Sequence, residues 1–266
     1  MKGPSTLKQA EDNWHTDMGA LFNGERVVFR GKDLFSELGD FSWFQYLMFG
    51  ITGRKFDSKQ LSLLESIGVI SSSFPEPRIW NNRVAALAAS ANSTGALACS
   101  SAIAVSEANI YGGHSILSAY DFLQRANSLI NNGGNLDNFV FEELKSKRRI
   151  CGFGRPVVNK DERISPLLNK AEELGFSNGP FLKLVFDIEK CLKSSRYRQT
   201  MNVAGLTSAL IADLGMNAEE YYNYALLAFS AGIIPCHIDA SNKKEGLFFP
   251  LSCQRLNYTG QGKRSW

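Results

Sequence analysis

Apolar and polar residues first alternate between Glu25 and Leu34, which predicts a short strand or extended segment. Residues 1–20 before it are polar and read as an arm. Asp40 then stands where a helix N-cap belongs, ahead of the apolar-rich 42–50, with Gly50 or Gly53 as the stop. From Lys59 to Ile70 the residues Leu61, Leu63, Leu64, Ile67 and Ile70 recur at helical spacing. Ser71 to Pro77 is a turn. Residues 83–107 are rich in Ala, Ser and Leu, and the small side chains predict helices that approach closely.

An amphipathic helix is expected over 115–126 and a turn at Asn131-Asn132-Gly133-Gly134-Asn135. A short helix at 139–147 leads into a loop. Residues 165–193 give two helices broken at Asn178-Gly179-Pro180, and 194–199 is a basic loop. Asn202 can cap a helix that Gly215 can end. Another helix covers 221–231.

Composition narrows the class. A chain of 266 residues can bury a sizeable core in one domain, or in one large and one small. The balance of 29 Lys and Arg against 26 Asp and Glu gives +3, and no nucleic-acid motif or basic arm is visible. The five cysteines are scattered without zinc spacing, so no metal is expected. No apolar run is read as membrane-spanning and no signal peptide is read at the N-terminus, so a soluble cytoplasmic protein is expected.

Chemistry concentrates at 150–163, Ile-Cys-Gly-Phe-Gly-Arg-Pro-Val-Val-Asn-Lys-Asp-Glu-Arg. Two glycines around one aromatic allow a sharp turn and close approach to a ligand. Bare amides beside Arg149, Arg155 and Lys160 suit an anion such as a nucleotide phosphate. The spacing is not that of a dinucleotide-binding fingerprint, because no third glycine follows.

This stretch resembles the GFGH-P-x-x-K-x-DPR motif of the citrate synthase superfamily, in its short citryl-CoA lyase-like branch. Further segments match in order across about 25–266. They are the Val27–Arg54 pattern, Tyr111-Gly112-Gly113-His114 (FGGA in the branch), Asn202-Val203-Ala204-Gly205 (NVDG), Ile233-Ile234-Pro235-Cys236-His237 (GxxAH) and the tail 258–266, which resembles the YTG-x-x-KR end of bacterial citrate synthases. The resemblance implies an all-α two-domain fold and a homodimer. Residues 1–114 and 202–266 would form the large dimerisation domain, and 115–201 the small domain on the coenzyme A side. It also implies a coenzyme A thioester as substrate and C–C bond formation or cleavage. The turn residues Arg149, Gly152, Phe153, Gly154 and Lys160 would then carry the coenzyme.

The family's reacting groups are replaced. Arg155 stands for the turn's histidine and Ala204 for the aspartate base. Ser73 stands for the ADHG histidine, or Ser72 if the register shifts by one. Ser230 and Cys253 stand for two substrate arginines. Arginine stays charged near pH 7 and cannot act as a base, yet it can hold an enolate, phosphate or carboxylate. Arg155, Ser73, His114 and Tyr111 are therefore the candidate catalytic residues, and Asn202, Ala204, Ser230, His237 and Cys253 the candidate substrate positions. For the Ser-Ser-Ser turn, His114 and His237 a structural role stands beside the chemical one. Two functions follow: a diverged acyl-thioester enzyme that does not use citrate or oxaloacetate, or a catalytically degenerate dimer that binds or regulates.

Overall fold

The computed structural model describes all residues except 1–2, 14, 73, 110–111, 156–159, 248–251 and 263–266. The chain is mostly helical and divides into two compact units, Met1–Glu65 and Ser66–Trp266.

In the first unit, α1 (Pro4–Ala10) precedes three short strands, β1 (Gly19–Phe22), β2 (Arg26–Phe29) and β3 (Lys32–Asp33). They form an antiparallel sheet in the order β1-β2-β3, with Gly19 opposite Phe29 and Val28 opposite Asp33. The expected extended segment is thus a hairpin, turned at Arg30 and Gly31, which both have positive φ. β1 starts at the end of the stretch 1–20 read as a polar arm and runs past it. All four of its residues are exposed, so pairing with β2 defines it rather than any apolar period. Helix α2 (Trp43–Thr52) is capped by Ser42, whose hydroxyl accepts from the Gln45 amide, and not by Asp40. Gly53, at φ 70, is the stop. Phe29 of the hairpin packs on Tyr46 and Phe49 at ring separations of 5.0 and 5.6 Å.

Helix α3 (Ser58–Ser71) follows as the apolar spacing predicts. The Ala-rich stretch is two helices, α4 (Trp80–Ser90) and α5 (Gly95–Val105), broken at Ala91 and restarted by Thr94, whose hydroxyl accepts from Leu97. Ala85, Ala98 and Ala102 pack with Ile233, and Ala86 and Ala89 with Cys236 and Ala240. Small side chains therefore bring these helices together as expected.

Helices α6 (Gly113–Asn131) and α7 (Leu136–Lys147) start earlier than the apolar period suggested, α7 because Asn135 caps it. Helices α8 (Ile164–Leu174) and α9 (Pro180–Ser194) are separated at the expected turn. Helix α10 (Val203–Asp213) is capped by Asn202 and buried over most of its length. Phe122, Leu123, Leu144, Leu167, Ile188, Leu192 and Leu206 are fully buried in the second unit.

Helix α11 (Ala218–Ser241) runs 24 residues, far beyond the expected 221–231, and includes Pro235. It opens with a full capping box between Asn217 and Glu220. By length and composition α11 is apolar enough to cross a membrane, which corrects the reading that no run reaches that length. Here it packs against α4 and α5. A short turn, Cys253–Arg255, precedes the tail.

Candidate functional site

The turn after α7 is fixed by two buried anchors, Ile150 and Phe153, with a glycine on either side of the aromatic. Gly152 and Gly154 have φ of 91° and 77°, the left-handed region that side chains avoid. Gly152 is constrained a second time. A Cβ there would lie 2.9 Å from the Cα of Gly205, and a Cβ on Gly205 would lie 2.5 Å from the carbonyl oxygen of Gly152. Backbone thus rests on backbone, joining two segments fifty residues apart.

Hydrogen bonds complete the junction. Phe153 and Met201 form an antiparallel bridge, and the Gly154 amide donates to the Thr200 carbonyl at 2.7 Å. The Asn202 amide donates to the Gly152 carbonyl at 3.0 Å, and its side-chain Nδ2 to the Gly154 carbonyl at 2.9 Å. Its Oδ1 accepts from the amides of Ala204 and Gly205 at 3.0 and 3.3 Å. Asn202 therefore caps α10 and holds the glycine turn with the same side chain.

Asp161 is the buried charge of this junction, at 1% exposure. Its Oδ1 accepts from Arg163 Nε at 2.8 Å and its Oδ2 from a second guanidinium nitrogen of Arg163 at 2.9 Å. Oδ2 also accepts from the Val203 amide at 2.8 Å. Burial alone pushes the carboxyl up. The Arg163 fork and the Val203 amide outweigh it and hold the pKa below the usual carboxylate value. Asp161 thus ties the basic loop to the start of α10.

Arg155 lies beside this carboxylate. One guanidinium nitrogen donates to Glu162 Oε2 at 2.5 Å and to the Lys160 carbonyl at 3.4 Å, and it stands 3.7 Å from Asp161 Oδ1. Its charge is countered within its own loop, and an incoming anion must compete with Glu162, whose side chain is 70% exposed. Ala204 sits in the first turn of α10, half-buried. A methyl group there offers no proton to give or take. Arg149 and Lys160 are exposed on either side of the turn in sequence.

The structure thus unites Gly152, Phe153, Gly154, Arg155, Asn202 and Ala204. His114, His237, Ser230 and Ser72 have other partners. His114, in the first turn of α6, lies 3.8 Å from Glu107 Oε2, and Glu107 also accepts from the Tyr222 hydroxyl. His237 meets the Ser93 carbonyl at 3.2 Å. The Ser230 hydroxyl donates to the Leu227 carbonyl one turn back at 2.6 Å. The Ser72 hydroxyl donates to the Val69 carbonyl at 3.0 Å. Ser73, Tyr111 and the side chain of Cys253 lie outside the described residues.

Three residues of interest carried no motif. Asn82 is fully buried and its Nδ2 donates to the Phe74 carbonyl at 2.8 Å, holding the turn after α3. Asn81 donates to the Ser106 hydroxyl at 3.1 Å, and the Ser106 carbonyl in turn accepts from the Gly113 amide at 2.7 Å. Consecutive asparagines in an otherwise apolar helix were the available signal. Gln199 lies against Gly154, its Cδ 3.6 Å from where a Cβ would be.

No protein-family model matches the chain, and no curated protein matches it in sequence. Solved structures do. The citryl-CoA lyase of Hydrogenobacter thermophilus superposes with a TM-score of 0.83 at 19% identity, over 96% of this chain and 97% of the lyase. The ATP citrate lyase of Methanothrix soehngenii, solved with citrate and coenzyme A, gives 0.75 at 18% identity over 99% of this chain and 45% of the lyase. The citrate synthase of Thermotoga maritima gives 0.64 at 19% identity, over 85% of this chain and 60% of the synthase. The chain has the fold shared by citryl-CoA lyase and citrate synthase.

Proposed function

We propose that the protein is a diverged citrate synthase-like enzyme that binds a coenzyme A thioester at the 150–155 turn and makes or breaks a C–C bond of a substrate other than citrate. The observation that carries this reading is the junction of Gly152 with Gly205. The two segments that resemble the family's coenzyme and base motifs are built into one rigid unit, while the proton-transfer position itself is Ala204. A fold kept over the whole length of a citryl-CoA lyase supports the thioester half of the proposal. Arg155, once drawn from Glu162, and the second N–H of the Asn202 carboxamide offer a cationic and a neutral donor for a carbonyl or enolate oxygen. Residues 115–201 would be the thioester-side domain.

The second reading is a catalytically degenerate dimer that binds the same ligand. The pairing of Arg155 with Glu162 favours it, since that guanidinium is already neutralised. Both readings take a homodimer. Trp80 and Leu87 of α4, Leu97 of α5, and Ile234 and Ile238 of α11 are all exposed apolar residues of the second unit, the kind of surface a second copy would cover.

The test combines an assay and a mass measurement. Acetyl-CoA with oxaloacetate will give no citrate, and citryl-CoA will not be cleaved, because no base stands at Ala204. Light scattering will return a dimer. Turnover near the ordinary enzyme range of about 10 per second would show that the proton-transfer position has been misassigned. A monodisperse monomer would remove the shared-dimer element.

A further inference from the structure

Gln199 Oε1 is buried and has no hydrogen-bond partner among the described residues. An amide oxygen taken from water without a donor costs free energy, so such a group calls for a reason. Its place supplies one. The Gln199 side chain lies against Gly154, with Cγ and Cδ each 3.6 Å from an ideal Cβ there. The next residue, Thr200, accepts the Gly154 amide through its carbonyl, and Met201 bridges Phe153. The side chain that carries the oxygen is therefore held, through Cγ, Cδ and Nε2, against the turn at which the thioester is proposed to bind. The hydrogen bonds of Gly154 are already taken, its amide by Thr200 and its carbonyl by Asn202 Nδ2. Neither can serve Gln199.

We infer that Gln199 Oε1 accepts a hydrogen bond from an N–H of the coenzyme A thioester, making Gln199 a ligand-selecting residue of the proposed site. The inference rests on the thioester reading above. A carboxamide oxygen accepts and cannot donate, so it selects for donors. Ionised citrate or another carboxylate offers acceptors almost throughout, whereas coenzyme A carries two amide N–H groups in its pantetheine arm and an amine on its adenine. The exposed Arg196 and Arg198 precede Gln199 in the same loop and would suit the phosphates of that ligand. Anion attraction and an N–H acceptor thus come from one segment.

The test is calorimetric titration of wild type, Gln199→Leu and Gln199→Glu with three probes: coenzyme A, pantetheine, and the adenosine bisphosphate half of coenzyme A. The melting temperature of each unliganded protein is measured alongside. Gln199→Leu will weaken coenzyme A binding about five- to tenfold. If the arm is the donor, pantetheine weakens equally and the bisphosphate is unchanged. If the adenine is the donor, the pattern reverses. Gln199→Glu keeps an acceptor and will retain affinity for the fragment that Gln199→Leu loses. Unliganded Gln199→Leu will melt no lower than wild type, because it removes an unpaired polar atom. A lower melting temperature would show that the oxygen serves the fold, and unchanged coenzyme A affinity would show that it touches no ligand. Either result overturns the inference. A wild type that binds none of the probes overturns the thioester reading itself, and that is seen before any variant is compared.

Discussion

Gly205→Ala will lower the unfolding free energy by about 2 kcal/mol, although alanine is the better helix former. Gly205 lies inside α10, where replacing glycine normally gains up to about 1 kcal/mol from backbone entropy alone. Here the new methyl would sit 2.5 Å from the Gly152 carbonyl oxygen and 3.2 Å from its Cα. Those atoms are backbone, held by the Asn202 amide and the Phe153–Met201 bridge, so they cannot swing aside as a side-chain tip would. Overpacking of this kind costs about 3 kcal/mol at the upper end, which exceeds the propensity gain. Gly95→Ala is the control: Gly95 opens α5, and a methyl there would meet only the His237 ring at 3.6 Å, so it tests helical glycine replacement without the backbone contact. Urea denaturation of the variants decides the matter. A Gly205→Ala protein as stable as wild type would mean that the two motif segments are not in backbone contact.

Asp161→Asn will cost about 3 kcal/mol at neutral pH and will flatten the acid side of the stability profile. The carboxylate is buried between the Arg163 fork and the Val203 amide. Removing its charge leaves Arg163 without a counter-ion and relaxes the hold on Arg155, 3.7 Å away. The sign of the pH effect follows from the lowered pKa of Asp161. A carboxyl depressed in the folded state contributes its stability above the unfolded value of about 3.9 and loses it as pH falls through the folded pKa. Denaturation curves of wild type and Asp161→Asn should therefore stand apart by a steady gap from pH 7 down to about 4, and close only as pH falls further, through the folded pKa. A gap that stays open at still lower pH, or a loss under about 0.5 kcal/mol at neutral pH, would show that the ionised pair contributes little to the fold.

The junction was largely legible in the sequence, because its parts are local. Two glycines around Phe153 specify a turn, and Asn202 before an apolar run specifies a cap. What the sequence did not show is that these features touch, since nothing in either segment names its partner. The pairing of Arg155 with Glu162 was hidden for a related reason. The charged run 160–163 offers Arg155 two carboxylates and two like charges, and only the path of the loop selects among them. Gln199 gave no signal at all, as its interest lies in a hydrogen bond it does not make. Helix α11 was underestimated because Pro235 suggests a break. A proline forfeits one backbone hydrogen bond, which a helix with its capping box and small-residue packing against α4 and α5 can bear. The Ser42 cap displaced Asp40 because the chain keeps turning through residues 38–41 before the helix starts.

Titration of the wild-type protein and Arg155→Ala with coenzyme A is the most direct test of the proposal that this fold still serves a thioester. Wild type will bind coenzyme A and Arg155→Ala will bind it about tenfold more weakly, as expected for a charged hydrogen bond that the ligand wins from Glu162. No heat of binding from wild type at millimolar coenzyme A, in a protein shown to be folded, would contradict the account.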